Sequence, residues 1–458
     1  MPATVEVLSA ADAEGAQQRA AGAIRARGLG PGDRVAFCVP SSGALLCAVL
    51  GALRTGVVPV LLHATLTEGE RAELLADAQP GLAITGTDQL AELDAGPPVR
   101  LERYPRSRPM HYTSGTTGRS KGVWSGIWDA ATAEAAFSDE AALWAFGPDD
   151  VHLVCSPMAH SVSIRFAAGT LLRGGTVVIL GRFDAEVARD ALDGRYGPVP
   201  TTTFMAPSAL ARLLAATSPE RGDGGPQPPP ERFDHLRLLV HAGSPCPPAL
   251  KREAMARVRP GVLWEFYGST EGQFTVCSPG EWTDRPGTVG RARPGRSLSV
   301  DGDGTIWCTP PAFARFEYWR DEEKTARAWR HGAFTVGDLG RIDDDGYLFI
   351  DGRRDDLIIS GGVNVYPAEV EAVIGEVPGV ADVAVFGLPD ERWGQRVCVA
   401  VVPSGVPVDA LVDAVRARCG QRLAGYKRPK QYLVLDALPR TSTGKVTRGS
   451  IPGLVGRG

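Results

Sequence analysis

What this chain lacks narrows its function before any motif is considered. Its eight cysteines stand singly, at 38, 47, 155, 246, 277, 308, 398 and 419. With no C-x-x-C pair, neither a zinc site nor a disulfide framework is indicated, and a reducing, cytoplasmic location is expected. No apolar run is long enough to span a bilayer, since the longest, near residues 44–53, stops at Arg54. No basic stretch followed by an apolar one opens the chain, so no signal peptide is expected. No excess of cations marks a nucleic-acid binder, because the net charge is -4. There is no internal repeat and no low-complexity tail. No G-x-G-x-x-G follows the first strand, which argues against a dinucleotide-binding oxidoreductase.

What is present is a chain of 458 residues, 43% hydrophobic and 22% charged, enough for two or three domains. Ala and Arg recur at helical spacing over 11–28, and the glycines around Pro31 end that helix. A strand over 34–39, a helix capped by Ser41 or Ser42 and reaching Arg54, and a strand over 57–62 follow. The alternation continues through 70–77 and 82–85, which predicts an α/β domain with parallel pairing. Further helices are expected over 129–144, 163–173 and 207–215, and strands over 150–155, 175–180, 201–205 and 236–241. Pro and Gly make 221–231 a linker or exposed loop. Short β-like runs between turns over 287–350 suggest a β-rich subdomain. After Asp351-Gly352-Arg353-Arg354-Asp355-Asp356, the pattern predicts helices over 367–374 and 409–419. Strands are expected there over 383–387, 396–402 and 432–435. The expected organisation is a large α/β domain over 1–354 and a small α+β domain over 355–458.

Five clusters carry chemistry. Tyr112-Thr113-Ser114-Gly115-Thr116-Thr117-Gly118-Arg119-Ser120-Lys121-Gly122-Val123 crowds hydroxyls, glycines and two cations together with almost nothing to bury. Glycines let backbone N–H groups turn toward an anion, and Lys121 and Arg119 add charge suited to phosphate. It is not a Walker A loop, because the spacing from Gly115 to Lys121 is wrong and Gly122 follows the lysine. In Glu265–Gly272, Glu271 suits either a magnesium ligand or the first turn of a helix capped by Thr270. Asp338, between Gly337 and Leu339, suits either two ribose hydroxyls or a turn. Alternating charges over 352–356 beside Gly361-Gly362 are unusual for a plain linker, and 439–446 is a polar loop holding one lysine, Lys445.

Together and in this order, the clusters resemble those of the adenylate-forming superfamily: acyl- and aryl-CoA synthetases, peptide-synthetase adenylation domains and luciferases. The likeness runs from about Arg34 to Arg448 and is nearest to acyl-CoA synthetases. It implies that ATP and Mg²⁺ are used to activate a small carboxylic acid, with CoA as the co-substrate. Ser114, Thr116, Thr117 and Lys121 would hold the β- and γ-phosphates, within a loop completed by Thr113, Gly115 and Gly118. Thr270 would contact the α-phosphate and Glu271 would ligate Mg²⁺. Tyr267, followed by Gly268, would stack on adenine, with Gly243, Ser244 and Pro245 lining the same pocket. Asp338 and Arg353 would bind the ribose. Lys445 would bridge the carboxylate and the α-phosphate, and His160 would sit beside the acid. Asp355 would be the pivot that exchanges Lys445 for the Gly361-Gly362 face.

The chain departs from the pattern at Ser120, where relatives usually have Pro. It also departs at Trp124-Ser125-Gly126-Ile127-Trp128, where they have a His-x-Asn stretch, and in a shorter N-terminal domain. An acceptor other than CoA stays open: a carrier protein, an amine, or adenylated nitrite that diazotises an arylamine. A non-catalytic nucleotide-binding homologue is the remote alternative.

Overall fold

Strand and helix alternate from the start of the chain, and each switch has a local cause. Ser9 accepts from the Asp12 amide to open helix Ala10–Ala26, and Ser42 accepts from Leu45 to open Gly43–Arg54. Thr67 and Glu70 cap Glu68–Ala78 reciprocally. The structure is a computed structural model that describes residues 4–113, 120–216, 231–361, 363–440 and 446–454. All of the expected linker but Glu231 lies outside these residues.

The chain divides into two compact units, Met1–Ser297 with Thr309–Phe334, and Leu298–Cys308 with Thr335–Gly458. In the first, one sheet runs in the order Val5–Ser9, Thr176–Leu180, Val151–Val154, Thr202–Met205, Leu238–His241, Leu263–Glu265. Only its first strand is antiparallel to its neighbour. A second sheet runs Glu317–Tyr318, Lys121–Trp124, Met110–Thr113, Val58–Leu61, Arg34–Phe37, Leu82–Ile84. Its last four strands are parallel, as the alternation predicts, and its first two are antiparallel additions. Helices Ala10–Ala26, Gly43–Arg54 and Ser161–Leu172 fill the core that both sheets share. The first two pack tightly enough that a Cβ on Gly51 would lie 2.4 Å from the Gln17 carbonyl oxygen. A second core covers the other face of the first sheet.

In the second unit, strands Val380–Asp390 and Gly394–Pro403 pair over their whole length. Hairpin Ile358–Ser360/Val363–Val365 and strand Gln431–Val434 join them, and helices Pro367–Gly375 and Val408–Arg422 cover the sheet. Asp338–Ile342 and Leu348–Arg353 form a separate antiparallel pair. The short strands expected over 287–350 are present, but they are shared between the two units. Residues 335–354, expected with the larger domain, pack with the smaller unit. Sequence periodicity missed strand Val5–Ser9 and the short helices Thr87–Leu93, Ala185–Leu192 and Pro248–Ala256, which are too brief to show a clear period. Among the described residues no helix is long and apolar enough to cross a membrane.

Candidate functional site

Parallel sheets bring functional loops together at the carboxyl ends of their strands. His241 and Glu265 are in register on adjacent parallel strands, so Gly243-Ser244-Pro245 and Tyr267 leave neighbouring strand ends. Gly243 has a φ of 94°, a conformation that favours glycine, and the three residues are exposed. The Tyr267 ring lies 4.8 Å from that of Phe274. A bridge between Gly268 and Gln273 closes the turn that carries Ser269, Thr270 and Glu271. A Cβ on Gly268 would lie 2.8 Å from the Gly272 carbonyl oxygen, so the turn requires glycine there.

Glu271 is 6% exposed, and its Oε1 accepts a 2.8 Å hydrogen bond from the Tyr318 hydroxyl. Burial, then the neighbouring Glu271 charge, keeps the Tyr318 hydroxyl well above its ordinary range. Lys324 stands 4.1 Å over the Tyr318 ring and is held down by burial, against the pull of Glu271 and Asp321. Lys121 Nζ lies 3.2 Å from Asp321 Oδ2, and Asp321 also caps helix Glu322–Ala328. Strand Glu317–Tyr318 pairs with Lys121–Trp124, and that pairing gathers these groups. Sequence reasoning missed Tyr318, Asp321 and Lys324, which lie on a two-residue strand and a short helix that carry no clear period.

Thr113 and Lys121 face each other at the ends of antiparallel strands, and Ser114–Arg119 between them lie outside the described residues. His160 is the N-cap residue of helix Ser161–Leu172, its ring 6.1 Å from that of His63. Beside it, buried His111 donates from Nδ1 to the Ala159 carbonyl at 2.8 Å, and burial pushes it down to about 4, so it is neutral near pH 7.

A cavity of about 190 Å³ opens beside the turn, with Ser269, Thr270, Gly272 and His111 in its wall. Much of the wall is apolar, including Trp128, Phe137, Ile164, Leu172 and Phe313. Charged side chains from distant parts of the chain also line it: Arg108, Asp139, Glu140, Arg165, Arg293 and Arg296. Asp139 accepts from Arg293 at 2.5 Å and from Arg296 at 2.6 Å, and Glu140 lies 2.9 Å from Arg293 and 3.0 Å from Arg165. Burial pulls the Glu140 carboxyl up, but Arg165 and Arg293 outweigh it and hold it below the ordinary glutamate range. Arg108 donates to the Glu271 and Arg315 carbonyls, both at 3.3 Å, and burial with the Arg165 charge pushes it down to about 10. None of these six residues was picked out from sequence, because no two of the arginines are close enough in the chain to form a recognisable cluster, except Arg293 and Arg296.

In the second unit, Asp338 and Arg353 face each other across paired strands, with Arg353 Nε 3.3 Å from Asp338 Oδ1. Asp338 is buried and Arg353 exposed. Asp355 is exposed within the single turn Arg354–Asp356. The next residue, Asp356, pairs with Arg448 at 3.1 Å. Gly361 has a φ of 62° and packs on Trp393, whereas Gly362 lies outside the described residues. Lys445 lies outside them too; its loop is anchored where Arg440 bridges Val446 and the Thr447 amide donates to the Pro439 carbonyl.

Among the described residues no group of three or more His, Cys, Asp or Glu could hold a metal ion. A single buried carboxylate such as Glu271 instead fits magnesium, which keeps several waters and uses one or two carboxylates with phosphate oxygens.

Comparison with known proteins shows the family of the chain. The AMP-binding enzyme family model matches residues 4–105 and 109–307, and the model for the AMP-binding enzyme C-terminal domain matches 369–445. An indoleacetate–CoA ligase of Aromatoleum aromaticum is 32% identical over 500 residues, covering 98% of this chain and 94% of its own. ATP-bound MatB from Rhodopseudomonas palustris superposes with a TM-score of 0.82 at 30% identity, over 97% of this chain and 93% of that one. O-succinylbenzoate coenzyme A synthetase from Bacillus subtilis, in complex with ATP and magnesium, gives 0.81 at 26% identity, over 96% and 94%.

Proposed function

The chain belongs to the AMP-binding enzyme family, and we propose that it activates a carboxylic acid with ATP and transfers the acyl group to CoA. A carboxylate oxygen attacks the α-phosphorus and the bond to pyrophosphate breaks. The CoA sulfur then attacks the carbonyl carbon of the acyl-adenylate, and AMP leaves with the oxygen it gained.

The residues divide this work. Ser114, Thr116, Thr117 and Lys121 hold the β- and γ-phosphates, which take over from Asp321 as the partner of Lys121. Thr270 meets the α-phosphate, and Glu271, held by Tyr318, is the magnesium ligand. Bound magnesium neutralises charge on the phosphate oxygens. Tyr267 and Gly243-Ser244-Pro245 receive adenine, and Asp338 with Arg353 receives the ribose. Lys445 stabilises the charge that builds between carboxylate and α-phosphate. His160, at the head of a helix that lines the cavity, borders the acid. Asp355 is the pivot of a hinge motion that replaces Lys445 by the Gly361-Gly362 face. Seven of the eight cysteines are buried and all are free, which supports the reading of a reducing compartment.

One observation carries the proposal. Thr270 stands in the wall of an acid-sized cavity while the next residue, Glu271, is buried against Tyr318. Phosphate contact and metal ligand therefore meet at the place where a carboxylate would enter. The test is a panel of acids supplied with ATP, with and without CoA, assayed for pyrophosphate and thioester. Acid-dependent pyrophosphate with thioester only when CoA is present is the expected result. Pyrophosphate with every active acid but no thioester would move the acceptor to a carrier protein or an amine.

A further inference from the structure

The cavity beside Thr270 is not electrically balanced. Four guanidinium groups line it, at Arg108, Arg165, Arg293 and Arg296, against two carboxylates, at Asp139 and Glu140. Four positive charges less two negative ones leave a surplus of two. His111 adds none, and Glu271 points its carboxylate to Tyr318.

The surplus can be located. Arg293 and Arg296 share Asp139, and Arg293 also reaches Glu140 and Gln273, so these two are well satisfied. Arg165 Nε lies 3.0 Å from Glu140, which Arg293 shares, and the Arg165 guanidinium lies over the Phe266 ring at 4.9 Å. Arg108 hydrogen-bonds to carbonyl oxygens, and the Glu271 and Glu140 carboxylates act on it only through space. Enclosing cations in a cavity without matching anions is unfavourable unless an occupant supplies the charge.

Arg108, hydrogen-bonded to the Glu271 carbonyl, stands next to the place where the reacting carboxylate is expected. A simple monocarboxylic acid would neutralise that one charge and leave Arg165 sharing its one paired carboxylate, Glu140, with Arg293. The geometry points to a substrate acid that carries a second anionic group, seated against Arg165 and joined to the reacting carboxylate by an apolar body. This rests on the acid-activation reading above. Trp128, Phe137, Ile164 and Leu172 would enclose the apolar body, and bidentate pairing with the planar guanidinium would select the second group. The six charged residues come from four separated stretches of chain, so the balance exists only in the folded protein.

Size-matched pairs of acids test this: adipate against hexanoate, and 1,4-phenylenediacetate against 4-methylphenylacetate. In each pair the diacid is expected to show at least tenfold higher kcat/KM for pyrophosphate release. Arg165→Gln should bring that ratio close to one, and Arg165→Lys should restore part of it. Glu140→Gln, which adds a further positive charge to the balance, should raise the ratio. Circular dichroism would establish that each variant is folded. If both pairs prefer the monoacid, or if Arg165→Gln leaves the ratio unchanged, the inference is overturned. Should no acid release pyrophosphate, the adenylation reading fails, and calorimetric binding of the same pairs decides the inference by itself. Diacid binding lost in Arg165→Gln would support it, and no preference in binding would end it.

Discussion

The two compact units place their charges in opposite ways. In the first, arginines and carboxylates are drawn inward around a cavity, and Arg293 is 2% exposed within a net of three partner residues, Asp139, Glu140 and Gln273. In the second, the core is almost wholly aliphatic and holds no such net among the described residues, and several ion pairs lie at the surface, as with Arg416 and Asp413 at 62% and 75% exposure. Buried ion pairs are costly to assemble and costly to break, whereas surface pairs contribute little either way. The first unit therefore has the architecture of a site formed in advance, and the second that of a stable carrier for a few functional residues.

This contrast can be broken or sharpened by substitution. The largest effect is expected in the second unit, and on rate alone. Lys445→Ala should lower acid-dependent pyrophosphate release by roughly 10³–10⁴-fold, about 4–5.5 kcal/mol of barrier, with an unchanged melting temperature. Next is Glu140→Ala, which strands Arg165 and Arg293 and should cost about 3 kcal/mol in denaturant unfolding. The same group makes stability depend on pH. Its folded value lies below its ordinary 4.5, so its contribution is present above that value and lost as pH falls through the folded one. Melting temperatures of wild type and Glu140→Gln should accordingly differ at pH 7 and converge in acid. Asp321→Ala removes a helix cap and the partner of Lys121, and a loss of about 1 kcal/mol is expected by the same unfolding measurement. Smallest is Asp413→Ala in the second unit, expected within about 0.5 kcal/mol of wild type and without effect on pyrophosphate release.

How much of this was legible in the sequence follows from chain distance. Asp338 and Arg353 fall on the two strands of one hairpin, and each stood out in its own short cluster, although only the resemblance of all five clusters together tied both to the ribose. The strand–helix rhythm of the first hundred residues showed the parallel sheet, because each element there buries its own periodic face. The cavity was invisible, since Arg108, Glu140, Arg165 and Arg293 meet only after the fold has closed. Tyr318 and Asp321 were hidden for another reason: they sit on an added edge strand and a seven-residue helix, too short to carry a period.

The central claim is that a carboxylate is activated at the α-phosphate of ATP, and isotope exchange tests it most directly. With acid and ATP but no acceptor, labelled pyrophosphate should enter ATP at a rate that depends on the acid and collapses in Lys445→Ala. Absence of exchange, with ADP and inorganic phosphate as the products instead, would contradict the account.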